Sequence, residues 1–242
     1  MTALAQLRSH QHAHLTLMLA LTFSTGVIDA VGFLGLDRVF VGNMTGNVVI
    51  LGMGLVGADD LPVAGPALAL VGFMVGAAGA GRALRRKAHG TWAVSTTVVL
   101  AAVGVIVLVV AIVTAVVTAL SYGAMIAITT LLGAAMGMQA AAARAIAVKD
   151  VTTVVVTSSI TGLAADSWFG ANNPGNGVRR IAAVAVLLLG AALGAFALTI
   201  DLGLGLFISA VVILAVAAAG AVPVRATSEA VSLPQENKEG LR

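Results

Sequence analysis

Asp29 is the residue in this chain best placed to do chemistry. It lies inside the apolar run Leu15–Leu36, after Ser24, Thr25 and Gly26, and is the one charged residue there. A carboxylate near mid-bilayer costs about 2.5–3.5 kcal/mol on insertion scales, so it faces protein or water. In a functional role it binds a cation, carries a coupling proton or holds a polar substrate. In a structural role it accepts hydrogen bonds from Asn43 or Asn47 and pins a bend.

Those asparagines belong to the stretch FVGNMTGNVVI at 40–50, where Asn43, Thr45 and Asn47 interrupt an otherwise apolar segment. Amides are costly in hydrocarbon unless partnered. On a regular helix Asn43 and Asn47 share a face and Thr45 points elsewhere. Gly42 and Gly46 permit an unwound turn or close packing. A half-helix starting here would aim backbone N–H groups and amide donors at a ligand near the midplane. The alternative is packing glue between helices, since small and amide residues also join helices in lipid.

In the second half, Gln139 stands within a residue of Asp29's counterpart, either opposite it at a binding site or in an interhelical hydrogen bond worth about 1 kcal/mol. The segment VTTVVVTSSITGLAADSW at 151–168 carries Thr157 and Thr161 among several hydroxyls. Hydroxyls bond back to the preceding turn, so this segment is less costly in lipid than an amide-rich one.

The elements that must position these groups are helices. The chain is 60% hydrophobic and 10% charged, against about 25% charged in a soluble domain. Runs such as Val98–Val117 carry no charge over a full span length. The sequence therefore specifies an all-α polytopic membrane protein. Six ordinary spans fall at about 15–36, 62–81, 92–117, 122–147, 180–200 and 202–222. The two short polar segments, 40–57 and 151–168, are re-entrant, broken or spanning. With both re-entrant and the N-terminus inside, Arg8, Arg82, Arg85, Arg86, Lys87, Arg144, Lys149, Arg179, Arg180 and Arg225 face the cytoplasm and Arg38 does not. The positive-inside rule thus disfavours eight spans and places both termini in the cytoplasm, although a seven-span arrangement scores equally well. Residues 1–14 and 223–242 read as cytoplasmic tails, the latter disordered, around one transmembrane domain at 15–222.

A shift of about 111 residues aligns the halves, 15–117 and 122–222. Gly26–Ala30 falls near Gly137–Ala140, and Asn43–Asn47 falls on Val155–Ser159. GFMVG (Gly72, Gly76) falls on GAALG (Gly190, Gly194). Three spans per half would invert the second copy, a 3+3 inverted-topology repeat. The GxxxG faces serve internal packing or a homodimer.

The combination GVIDAVGFL, VFVGNMTGNVVILG and GAAMGMQAA resembles the YoaK-type bacterial membrane proteins, over roughly residues 15–222. The resemblance implies a bacterial inner-membrane protein of about six spans in a family whose function is unknown. It also implies an asparagine after Gln139 and a Thr-Gly pair near 157–158, where this chain has Ala140 and Ser158.

Several functions are disfavoured by what the sequence lacks. It has no cysteine and no phosphate-binding G-x-x-x-x-G-K-[ST] run, its histidines lie outside the expected spans, and nothing in it points to nucleic acid. No catalytic residue, cofactor or metal is expected; the HxHxH at His10, His12 and His14 lacks fixed geometry. The leading expectation is a secondary transporter of a small polar solute, with Asp29, Asn43, Thr45, Asn47, Gln139, Thr157 and Thr161 at its site and the lipid bilayer as its surroundings. A channel-like pore and a non-transporting accessory or scaffold protein are the alternatives.

Overall fold

Uninterrupted apolar runs fold as helices in lipid because only a helix satisfies its own backbone. The computed structural model describes residues 3–85, 92–117, 119–146, 156–168, 170–171 and 177–232, with side chains for those between 13 and 222. Among these residues the elements are α1 (Ala3–Gly35), α2 (Met44–Leu55), α3 (Ala64–Leu84), α4 (Val94–Val116), α5 (Tyr122–Ile146), α6 (Val156–Ala165), α7 (Gly177–Leu198) and α8 (Leu202–Ser232). Six of them are long and apolar enough to cross a membrane, and each overlaps an expected span. α2 and α6 are the two short segments. At about 1.5 Å per residue, neither reaches across a hydrocarbon core of about 30 Å. The termini differ from expectation: α1 begins at Ala3 and α8 continues to Ser232, so helix extends into both segments read as tails.

Glycines fix how the long helices meet. A Cβ built on Gly72 would overlap the carbonyl oxygen of Thr130, and one on Gly76 that of Ala134. Gly190 and Gly194 bear in the same way on Phe23 and Val27. Both contacts advance in the same direction along each partner, so α3 runs parallel to α5 and α7 parallel to α1. Without side chains between them the backbones approach closely, which supplies the dispersion energy that joins helices in lipid. Both GxxxG faces are therefore taken up within the chain.

α8 runs antiparallel to α1, through Leu202 on Gly35, Val31 on Gly205, and the Ser209 hydroxyl donating to the Ser24 carbonyl at 3.3 Å. It is antiparallel to α4 as well, through Leu214 on Gly104 and Trp92 on Gly220. Gly35, Thr114, Met125 and Leu202 line one pocket, which brings the ends of α1 and α4 beside the starts of α5 and α8. Hence α1, α4 and α7 run one way across the bundle, and α3, α5 and α8 run the other.

Between α1 and α3 the chain reverses through Asp37 and Arg38, both left-handed at φ 58° and 56°. It then descends along α1, with Val39 at the level of Gly32 and Gly42 at the level of Asp29 and Thr25. α2 climbs back to the same face, where Gly54 meets Leu61 and Pro62 before α3 begins. α6 has the opposite sense. It starts at Val156 and runs towards Arg180 near the beginning of α7, where Gly162 lies against the guanidinium and Asp166 pairs with it.

Candidate functional site

Asp29 does not bond to the asparagine side chains. Its Oδ1 accepts three backbone N–H groups, from Val41 at 3.0 Å, Gly42 at 2.7 Å and Asn43 at 3.3 Å. This answers a local need: residues leading into a helix have N–H groups without intrahelical acceptors, costly to leave unpaired away from water. One oxygen satisfies three successive N–H groups ahead of α2. Asn43 then acts as the N-cap, its Oδ1 accepting from Gly46 N at 3.1 Å.

Asn47 is fully buried and faces back into the protein. Its Oδ1 accepts from Phe40 N at 2.9 Å while its Nδ2 donates to Phe40 O. The amide thus replaces the backbone partners that Phe40 lacks outside regular structure. Gln139 is likewise fully buried, donating from Nε2 to Thr25 Oγ1 at 3.1 Å and to the Leu21 carbonyl at 3.5 Å. It meets α1 one turn before Asp29 rather than facing the carboxylate, and its Oε1 has no partner among the described residues.

A cavity of about 510 Å³ opens beside these groups. Its polar lining includes Thr25, Asp29, Asn43, Thr45 and Thr157; its apolar lining includes Phe33, Phe40, Val49, Ile50 and Leu187. Thr25 and Leu187 lie at the midpoints of the spans Ala13–Gly35 and Gly177–Leu198, so the cavity sits at mid-depth. Thr45 and Gly46 of α2 and Val156 and Thr157 of α6 border it, and the two helices run from it towards opposite faces.

Four of the seven expected site residues, Asp29, Asn43, Thr45 and Thr157, therefore line one space. Asn47 and Gln139 lie behind its wall, and Thr161 is exposed on the far turn of α6. Residues 151–155, which begin the second polar segment, and Lys149 and Asp150 before it, lie outside the described residues, as do the side chains of His10 and His12.

Phe33, Phe40 and Leu187 were missed from sequence. Phe33 had a usable signal, since Thr25, Asp29 and Phe33 recur every four residues along one stripe of α1. Its ring stacks on Phe40 with centroids 4.8 Å apart. Leu187 had none, because its place depends on how α7 packs.

The family model described as "Protein of unknown function (DUF1275)" matches residues 17–219. The chain belongs to the DUF1275 family. It is also similar to the UPF0700 transmembrane protein YoaK of Bacillus subtilis (strain 168), at 28% identity over 151 residues. That match covers 62% of this chain and 66%, just under two thirds, of the relative. No solved structure matches. In this DUF1275 protein the matched region contains α2, α6 and every residue named around the cavity.

Proposed function

We propose that this protein is a secondary transporter of a small polar solute in the bacterial inner membrane, built as a 3+3 inverted-topology repeat with both termini cytoplasmic. The observation that carries the reading is the mid-depth cavity lined by Thr45 of α2 and Thr157 of α6, short helices that run from it towards opposite faces. Transport folds use interrupted helices of this kind, because their ends present polar backbone and side chains where an intact helix presents none.

The repeat rests on paired contacts. Gly26 bears on Leu187 and Ala191 of α7, and Gly137 bears on Phe73 and Ala77 of α3. The two sets correspond if α1 maps to α5 at an offset of 111 and α3 to α7 at 114. That offset pairs Gly76 with Gly190, one helical turn from the alignment of the glycine motifs. Thr45 and Thr157 are counterparts at an offset of 112, the one that sets Asn43–Asn47 on Val155–Ser159. Both line the cavity.

The absence of cysteine supplies a clean background for the test. Single cysteines at Thr45 and Thr157 are expected to react with a small membrane-impermeant thiol reagent, Thr45→Cys from the periplasm and Thr157→Cys from the cytoplasm. If both stay inert from either side while cysteines at Asp60 and Arg85 react, the cavity is dry and the reading fails. A channel would show the same labelling with non-saturating flux.

A further inference from the structure

We propose that the cavity binds a small monovalent organic cation of the ammonium type, held by Oδ2 of Asp29 against the Phe33–Phe40 wall; this rests on the reading of the cavity as a solute site. The two oxygens of Asp29 have different work. Oδ1 holds the entry to α2, while Oδ2 accepts no hydrogen bond among the described residues. Nor is Oδ2 among the unpartnered atoms sealed from solvent, so it is open to the space that Asp29 lines. An open carboxylate oxygen in a mid-depth cavity calls for a donor, and for a positive one.

The charge balance agrees. Asp29 is the sole ionisable side chain among the described lining residues. The backbone N–H groups of Val41, Gly42, Asn43 and Gly46 are already taken by the Asp29 and Asn43 oxygens.

Size and wall chemistry select an organic cation over a metal ion. A volume of about 510 Å³ far exceeds a bare ion, since one water occupies about 30 Å³ of liquid. No group of three or more His, Cys, Asp or Glu is gathered among the described residues, whereas a hard divalent ion takes six to eight oxygens. The stacked rings of Phe33 and Phe40 line the cavity, and an aromatic surface attracts a desolvated cation. The Thr45 and Thr157 hydroxyls remain to bond a polar group of the ligand, such as a hydroxyl.

The test compares choline with its neutral carbon isostere, 3,3-dimethylbutan-1-ol, on the full chain in detergent, by titration calorimetry and thermal unfolding. Choline is expected to bind and raise the unfolding midpoint, and the isostere to do neither. Asp29→Asn keeps an oxygen to accept the three N–H groups while replacing Oδ2 with a donor, so it should stay folded and lose at least about tenfold in affinity. Phe33→Ala should weaken choline roughly three- to tenfold. Choline should also slow thiol labelling of Thr45→Cys, a readout that needs no change at Asp29. Equal binding of the isostere, unchanged affinity in Asp29→Asn, or equally effective competition by Na⁺ or K⁺ overturns the proposal. Labelling at Thr45 and Thr157 without choline binding overturns it while leaving the solute cavity standing; no labelling removes both.

Discussion

The two short helices both border the cavity, yet they are secured by different chemistry. α2 is tied at its beginning. Asp29 gathers three N–H groups ahead of it, Asn43 caps it, and Asn47 clamps Phe40. α6 is tied at its end, where the Arg180 guanidinium lies over Gly162 and pairs with Asp166. The position matching Asp29 at an offset of 111 is Ala140, and the residues matching Asn47 are Ser158 and Ser159. The cavity is thus lined unequally by the two halves of the chain. The acid, the amide and both aromatic rings come from the first half, and the second half supplies Thr157 and Leu187.

The largest effect expected from breaking this contrast is at Asp29. Asp29→Ala leaves three N–H groups without their acceptor, and hydrogen bonds to a charged group are worth about 1.5–3 kcal/mol each. A loss of about 3 kcal/mol or more in detergent unfolding is expected, with Asp29→Asn recovering most of it. If Asp29→Ala unfolds like wild type, the carboxylate does not organise the entry to α2.

Asn47→Ala removes both partners of the Phe40 backbone and should cost about 2 kcal/mol, against under about 1 for Ser159→Ala on the matching turn of α6. Equal losses, measured side by side, would erase the asymmetry. Asn43→Ala removes an N-cap and should cost about 1 kcal/mol, read as a lower unfolding midpoint. The smallest global effect is expected from Arg180→Ala, below about 1 kcal/mol because the pair is only partly buried. Its signature is local: amide exchange should rise several-fold in α6 and stay unchanged in α2. Equal exchange in both would mean that the two short helices move as one unit.

Much of this was legible before any coordinates. Each of the six spans announces itself through a long apolar run with at most one charged residue, and both short helices fall inside the stretches that their polar residues marked. Asp29, Asn43, Thr45 and Thr157 were singled out because polar groups in lipid need a reason to be there. Less legible was which of those groups turn inward to the protein. Asn43 and Asn47 share a helical spacing, yet one lines the cavity and the other grips Phe40. The difference lies in the chain that precedes α2, which needs acceptors and donors as it descends along α1. Similarly, Gln139 meets Thr25 and Leu21 instead of Asp29, because the register of α5 against the rest of the bundle sets which turn of α1 it reaches.

By itself the sequence determined that this is a helical membrane protein, where its spans lie, and which residues carry unusual polarity. Those properties are additive along the chain, since transfer into lipid is settled residue by residue and turn by turn. Only the tertiary structure decided that Oδ1 of Asp29 is used while Oδ2 is open, and that Phe33, Phe40 and Leu187 wall the same space. It also decided that α2 and α6 reach that space from opposite faces. Each of these depends on groups far apart in sequence arriving within a few ångströms of one another. Close backbone contacts at Gly76, Gly137, Gly26 and Gly190 set that arrangement, and the contacts of a glycine are invisible until its neighbour is known.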